Sequence, residues 1–405
     1  MKILWVNPNF LHPTTKGGQI RTLEMLKCLH RGHEIDYAAF ENPAQPEGVA
    51  RSTEYCARAY PFRLHLPDKR SPAFLPQLAS GLFHPVPLAV GRFTSVEMSA
   101  FLRRQIAGRH YDLIVCDFLA VAHNFPGLNS VLLFQHNVET LIWRRRVEQA
   151  SDPLRRWYLG LQARRMFDYE GRACRQAAFV VAVSQSDEQW MRANFGAPRT
   201  GSVPTGVDTA RFAKPVSSTP RDGLVFVGSM DWMPNVDGVL WFAREVLPRI
   251  RARLPGCRLT IAGRDPDPAL QALASSVPGI IVTGTVPDVR PYLWDAAVCI
   301  VPLRVGGGTR LKIFEAMAAG VPVVSTAIGA EGLPVTGGRN ILIAGDPEDF
   351  AAACLRLLDD RVAAAAMTCD ALGLVTGSFS WEEVAKRFEA LMEQAVAYRP
   401  SGDAT

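Results

Sequence analysis

Pro302-Leu-Arg-Val-Gly-Gly-Gly-Thr-Arg-Leu-Lys-Ile-Phe-Glu-Ala-Met-Ala-Ala-Gly-Val-Pro-Val-Val-Ser325 is the densest stretch of pattern in this 405-residue sequence. The run Val298–Pro302 is apolar and of buried-strand type, Lys312–Ala319 has the make-up of a helix, and Pro322–Ser325 reads as the next strand. Strand, glycine turn, helix and strand in that order form a βαβ unit, the element of parallel sheets covered on both faces. Gly306, Gly307 and Gly308 carry no Cβ, so backbone N–H groups and the positive helix end can face an anion. Arg310 and Lys312 add full positive charge at the same end, and Glu315, one turn on, is placed to accept two ribose hydroxyls. A glycine-rich turn alone is only a turn. Two cations and a Glu at fixed offsets make it a candidate phosphate site.

The same alternation extends in both directions. Toward the N-terminus, Lys2–Val6 reads as a strand, Asn7–Gly18 as a loop, Gln19–Arg31 as a helix and Glu34–Phe40 as a strand. Tyr111–Cys116, Ser130–Phe134 and Ala178–Val183 are further short apolar strands, and Glu139–Gln176 reads as one long helical segment. A polar, Pro/Ser-rich stretch, AKPVSSTPRD (213–222), marks a linker. Beyond it come Leu224–Val227, Arg258–Ala262 and Ile280–Thr283 as strands, with Val236–Leu254 and Asp267–Ser276 as helices. The expectation is an N-terminal domain 1–213, a linker 214–222, a second α/β domain 223–379, a helix within 380–397 that packs back on the first domain, and a flexible tail 398–405. Two such halves would face each other across a cleft, and ligands of open parallel sheets bind outside the carboxyl ends of the strands.

Composition narrows the classes. A hydrophobic content of 48% with 20% charged residues is that of a globular protein, and 405 residues exceed one ordinary core. The net charge of +5 is modest, and neither an RRM-like nor a zinc-finger signature suggests nucleic acid. The best apolar stretch, Phe118–Gln135, is interrupted by His123, Asn124, Pro126, Gly127 and Asn129, so no membrane span is predicted. The N-terminus lacks a signal-peptide pattern, which gives a cytoplasmic expectation. Eight scattered cysteines without a CxxC pair read as reduced thiols, with no metal-ligand spacing and no cofactor implied.

The 302–325 stretch resembles the signature of glycosyltransferase family 4, and Glu315-Ala-Met-Ala-Ala-Gly-Val-Pro-Val-Val extends the match. Other segments agree with that family. Gly17-Gly18 resembles its N-terminal glycine loop, and Val203-Pro-Thr-Gly-Val-Asp208 its segment before the linker. Phe226-Val-Gly-Ser-Met-Asp-Trp-Met-Pro-Asn235 resembles the turn that opens the donor domain. Ile261-Ala-Gly-Arg264 and Val282-Thr-Gly-Thr-Val286 resemble later strand ends. The resemblance implies a GT-B fold, two Rossmann-like doubly wound domains. It also implies retaining, metal-independent transfer from a UDP- or GDP-type nucleotide sugar to a glycan, glycolipid or small-molecule acceptor. On that basis the donor site is expected at Gly17, Gly18, Gly228, Ser229, Thr285, Val286, Gly307, Gly308, Thr309, Arg310, Lys312 and Glu315. Glu315 and His136, which follows the strand Val131–Phe134, are the catalytic candidates. For His136 the plain alternative is a loop residue capping the next helix. A nucleotide-sugar epimerase and a non-catalytic scaffold of the same fold are the competing readings.

Two departures from the family pattern stand out. Many members have a first Glu eight residues before the second, and here that place is Gly307. Many place Arg and Lys after the donor-domain glycine, where this chain has Ser229 and Asn235, so Arg310 and Lys312 are expected to supply the charge. All eight histidines lie at or before residue 136, with His12 and His123 weaker candidates, and Asp117 is read as a turn cap or an acceptor contact. Trp143-Arg-Arg-Arg146, Arg155-Arg-Trp-Tyr158, Arg164, Arg165, Arg172 and Arg175 mix aromatic and basic residues through segment 143–175. That mixture suits peripheral contact with an anionic membrane face, the alternative being arginine stems covering apolar surface.

Overall fold

In a computed structural model, all residues are described except 15–16, 65, 67–74, 216–220, 231, 306–310 and 399–405. The chain divides into two compact units, Met1–Pro204 with Val384 onward, and Thr205–Glu383. The division falls earlier than the Pro/Ser-rich stretch suggests. Residues 205–213 are held by the second unit: Val207 N–H donates to the Phe379 carbonyl at 2.7 Å, and Trp294 Nε1 donates to the carbonyl of Phe212 at 2.7 Å.

The first unit is built on a seven-stranded sheet in the order β3-β2-β1-β4-β5-β6-β7, every neighbouring pair parallel. The strands are β1 Lys2–Asn7, β2 Glu34–Phe40, β3 Arg58–Phe62, β4 Leu113–Asp117, β5 Val131–Gln135, β6 Phe179–Ala182 and β7 Thr200–Ser202. The apolar runs of β1, β2, β4, β5 and β6 are buried along nearly their whole length, as strands covered on both faces must be. Sequence pattern did not show β3, because Pro61 sits inside it; a proline is tolerated there since β3 is an edge strand. Strand order reverses between β1 and β4, which opens a crevice beside Asn7 and Asp117 at their carboxyl ends.

The segment expected as one helix over Glu139–Gln176 is two, Glu139–Glu148 and Pro153–Gln176. Asp152 stops the first from running on: its carboxylate accepts from Arg155 N–H at 2.6 Å, and Pro153 follows at the first helical position.

The second unit carries a six-stranded parallel sheet, order β10-β9-β8-β11-β12-β13, with its own reversal between β8 and β11. These strands are β8 Leu224–Val227, β9 Leu259–Ala262, β10 Ile280–Val282, β11 Val298–Val301, β12 Val323–Ser325 and β13 Leu342–Ile343. The helix expected over Val236–Leu254 is interrupted by a π-helical turn at Phe242–Val246 before Leu247–Arg253 begins, because Pro248 cannot donate to the ladder.

The helix Trp381–Ala397 leaves the second unit at Glu383 and completes the first. Its fully buried Phe388 packs on Trp5 at 5.5 Å and edge-on to Phe134 at 5.0 Å, and Glu389 meets the His33 ring at 2.8 Å. Among the described residues no helix is long and apolar enough to cross a membrane.

Candidate active site

In the first unit the crevice between β1 and β4 is organised by Asp117, the last residue of β4, which is fully buried. Its Oδ2 accepts from Trp5 Nε1 at 2.9 Å, Asn7 Nδ2 at 2.6 Å and Thr22 Oγ1 at 2.9 Å, and its Oδ1 meets His136 Nε2 at 2.5 Å. Asp117 is therefore a buried hub rather than a turn cap.

Arg21 donates to the opposite ring nitrogen of His136, Nδ1, at 3.0 Å. Guanidinium nitrogens only donate and carboxylate oxygens only accept, so the imidazole is neutral with its proton on Nε2. Burial lowers the His136 pKa below the usual histidine range, with Asp117 pulling the other way. Burial likewise brings Arg21 down to about 10, against the pull of Asp117 and Asp187.

The loop after His136 is anchored from below by Glu170, wholly buried in the helix Pro153–Gln176. Glu170 accepts from the N–H groups of Glu139 (2.9 Å) and Thr140 (2.8 Å), from Thr140 Oγ1 (2.6 Å) and from Gln135 Nε2 (3.3 Å). It caps the helix that His136 leads into, while burial pushes its carboxyl up to about 7. Glu139, half-buried in the same turn, is also raised by burial.

Phe118 follows Asp117 with φ 73° and ψ 137°, a backbone conformation that bulky residues rarely adopt. That turn lays its ring flat on His136, centroids 3.9 Å apart and planes within 5°. Gly18, in the first turn of the helix Gly17–Leu29, makes room for it: a Cβ there would lie 2.8 Å from Phe118 Cζ.

The sequence pointed to Gly17, Gly18 and His136, and the fold brings Gly18 and His136 together around Phe118. Arg21 was missed. Its signal was legible as a basic residue on the buried face of its helix, in line with Met25 and Leu29. His12, by contrast, lies with Glu54 at 3.2 Å.

In the second unit the carboxyl ends of β8 and β9 form a separate candidate site. Gly228 closes β8, and a Cβ on it would lie 2.6 Å from Lys312 Nζ and 2.8 Å from Asn235 Nδ2. Lys312, on the helix Leu311–Ala318, donates to Asn235 Oδ1 at 2.8 Å with its ammonium 4.2 Å from the Phe226 ring centroid. Asn235 Nδ2 in turn donates to the Ser229 carbonyl at 2.7 Å. Glu315 is half-buried on the same helix as Lys312, its carboxyl raised by burial against the pull of Lys312 and Arg211. Thr285 is exposed and Val286 half-buried, beyond the left-handed Gly284 (φ 71°) at the end of β10. Gly307, Gly308, Thr309 and Arg310 lie outside the described residues.

Two family models match the chain along its length, "Glycosyltransferase Family 4" over residues 15–211 and "Glycosyl transferases group 1" over residues 221–360. The chain is a family 4 glycosyltransferase. The glycosyltransferase is 28% identical over 208 residues to the lipopolysaccharide core biosynthesis mannosyltransferase LpsB of Rhizobium meliloti, covering 46% of this chain and 59% of that one. Its fold matches the sucrose-phosphate synthase of Thermosynechococcus elongatus with a TM-score of 0.69 at 19% identity, over 98% and 99% of the two chains. It also matches Anabaena HepE in complex with UDP, with a TM-score of 0.65 at 14% identity over 97% and 100%. The two parallel-sheet α/β units of this glycosyltransferase are thus those of the GT-B fold.

Proposed function

We propose that this glycosyltransferase takes its sugar from a UDP- or GDP-type nucleotide sugar and passes it, with retention and without a metal, to a glycan, glycolipid or small-molecule acceptor. The observation that carries the donor reading is the set Gly228, Asn235, Lys312 and Glu315 at the carboxyl end of β8, beside the reversal of the sheet. An ammonium fixed over a glycine turn suits a leaving diphosphate, and a carboxylate one turn further along its helix suits ribose hydroxyls. The UDP complex of HepE supports this reading. Gly17, Thr285, Val286, Gly307, Gly308, Thr309 and Arg310 belong to the same proposed donor set.

His136 is proposed to contact the reacting sugar. Both its ring nitrogens are engaged within the protein, so a sugar hydroxyl reaches Nδ1 by taking the place of the Arg21 bond. The proton of the attacking acceptor hydroxyl would pass to a phosphate oxygen of the leaving group, so no side-chain base is required.

A peripheral contact with an anionic membrane is proposed for a narrower stretch than 143–175. Several arginines of that segment are committed to the protein: Arg144 lies over Phe167 and Trp190, Arg146 over Trp143, and Arg165 donates to the carbonyls of Gly81 and Leu82. Leu154 (73% exposed) and Trp157 (59%) stand beside the exposed Arg155 and Arg156 at the start of their helix.

Calorimetric titration with UDP and GDP, with magnesium and with EDTA, followed by the anomeric configuration of the product, tests the whole reading. Absence of binding to either nucleotide refutes it.

A further inference from the structure

We infer that Arg264 is a ligand of the donor's diphosphate, acting with Lys312 as a two-cation clamp across the Gly228–Ser229 turn. The inference rests on the nucleotide-sugar reading above and adds a residue that neither the motif nor the family pattern assigned. The turn after β8 carries neutral Ser229 and Asn235 where two cations are expected. In the folded protein each of these neutral residues is bonded by a cation that comes from elsewhere in the chain. Lys312 reaches Asn235 from the helix Leu311–Ala318. Arg264, two residues beyond β9, donates from Nε to Ser229 Oγ at 2.8 Å.

The route that brings Arg264 there is built into the backbone. β8 and β9 are parallel, and their ladder continues past the named strands: Gly228 N–H donates to the Ala262 carbonyl at 3.0 Å, and Met230 N–H to the Arg264 carbonyl at 2.9 Å. Between those bonds Gly263 passes so close that a Cβ would lie 1.8 Å from the Gly228 carbonyl oxygen. A backbone atom cannot step aside, so only glycine serves at position 263. Close passage at Gly263 sets Arg264 directly beside Ser229. The bond to Ser229 fixes the plane of the guanidinium, whose fork geometry matches phosphate oxygens. Asp265, 3.8 Å from Arg264, leaves the chain in the left-handed region (φ 52°) and turns it away. The side chain of Arg264 is about half exposed, as a ligand-binding group must be.

The result is a continuous chain of bonds from Lys312 through Asn235 and Ser229 to Arg264, with a positive charge at each end. Two cations suit two phosphates. The clamp thus selects nucleoside diphosphate sugars over nucleoside monophosphate sugars.

The test measures binding of UDP, GDP, UMP, GMP and the parent nucleosides by calorimetry to the full chain and to Arg264→Ala and Arg264→Lys. Whichever nucleoside diphosphate the full chain binds should bind at least tenfold more weakly to Arg264→Ala. The matching monophosphate and nucleoside should change less than threefold, and Arg264→Lys should recover part of the loss. Equal diphosphate affinity in Arg264→Ala overturns the clamp and leaves the donor reading intact. Equal losses for diphosphate and nucleoside overturn it too, since they would mean that Arg264 only props the turn. A full chain that binds neither UDP nor GDP overturns the donor reading and the clamp together.

Discussion

Asp117→Asn changes one atom and sets a hydrogen-bond problem that the buried cluster cannot solve. The carboxylate meets donors on both sides, Trp5, Asn7 and Thr22 on Oδ2 and His136 Nε2–H on Oδ1. An amide turned with its NH2 toward Oδ2's partners would face three donors, so the better choice points it at His136. His136 must then move its proton from Nε2 to Nδ1, where it runs into the donating Arg21 at 3.0 Å. One buried donor–donor conflict survives either way, and Arg21 loses a facing charge. Removing one partner of a buried charged pair costs about 3–5 kcal/mol. Asp187, which also stabilises the Arg21 charge, offsets part of that, so a loss of about 2–4 kcal/mol is expected. For a domain of this size that is a fall of roughly 5–15 °C in Tm. Urea unfolding measures the free energy, and nitrogen-15 spectra of labelled histidine report the tautomer. Turnover should drop steeply while nucleoside diphosphate affinity, for which Lys312 is the proposed cation, changes less than threefold. A variant that loses under about 1 kcal/mol and keeps the Nε2–H form would refute the account of the hub.

Gly18→Ala should destabilise the first unit by about 1–3 kcal/mol, because the new methyl meets a Phe118 ring that cannot retreat from His136. The helix-propensity gain of alanine, at most about 1 kcal/mol, is too small to compensate. Thermal unfolding of Gly18→Ala with Phe118→Ala should show the double mutant recovering most of the loss. Glu170, raised to about 7 by burial, holds its proton more tightly folded than unfolded. Its contribution is therefore fully present below about pH 4.5, the ordinary glutamate range, and is lost as pH rises through about 7. The stability difference between the parent chain and Glu170→Gln, followed by urea unfolding from pH 4.5 to 8, should shrink across that window. Lys312→Ala should weaken UDP or GDP binding at least tenfold by calorimetry, since it removes the ammonium fixed over the Gly228 turn. Trp157→Ala should lower sedimentation with anionic vesicles severalfold and leave neutral vesicles unaffected.

The alternation of apolar runs and helical patterns was enough to read two parallel-sheet units, because fully buried strands such as Val131–Gln135 and Val298–Val301 leave an unbroken signature. Short or interrupted pieces were not legible. β3 hides behind Pro61, and the break at Asp152–Pro153 lay inside a stretch of strong helix formers, though its cap and proline spell a helix start. At the candidate site, residues adjacent to a motif could be named, as Lys312, Glu315, Gly18 and His136 were. Arg264 could not, because its meeting with Ser229 depends on the close backbone passage at Gly263, 35 positions away from Gly228 in sequence. Glu170 and the hub role of Asp117 were equally hidden, since a carboxylate that serves four donors from distant elements has no local pattern.

The helix Trp381–Ala397 has a practical consequence for anyone who wishes to study the halves apart. Thr205–Glu383 is contiguous and can be made as a single gene fragment, whereas a fragment ending at Pro204 lacks Phe388 and leaves Trp5 and Phe134 facing water. The remedy is suggested by His33, which contacts the Met1 amine at 3.2 Å and Glu389 at 2.8 Å, so the start of the chain lies one imidazole away from that helix. From Glu389 to Ala397 is about 12 Å of helix. A circularly permuted gene that begins at Val384 and rejoins Met1 through a short glycine–serine bridge would restore the missing wall of the first unit in one polypeptide.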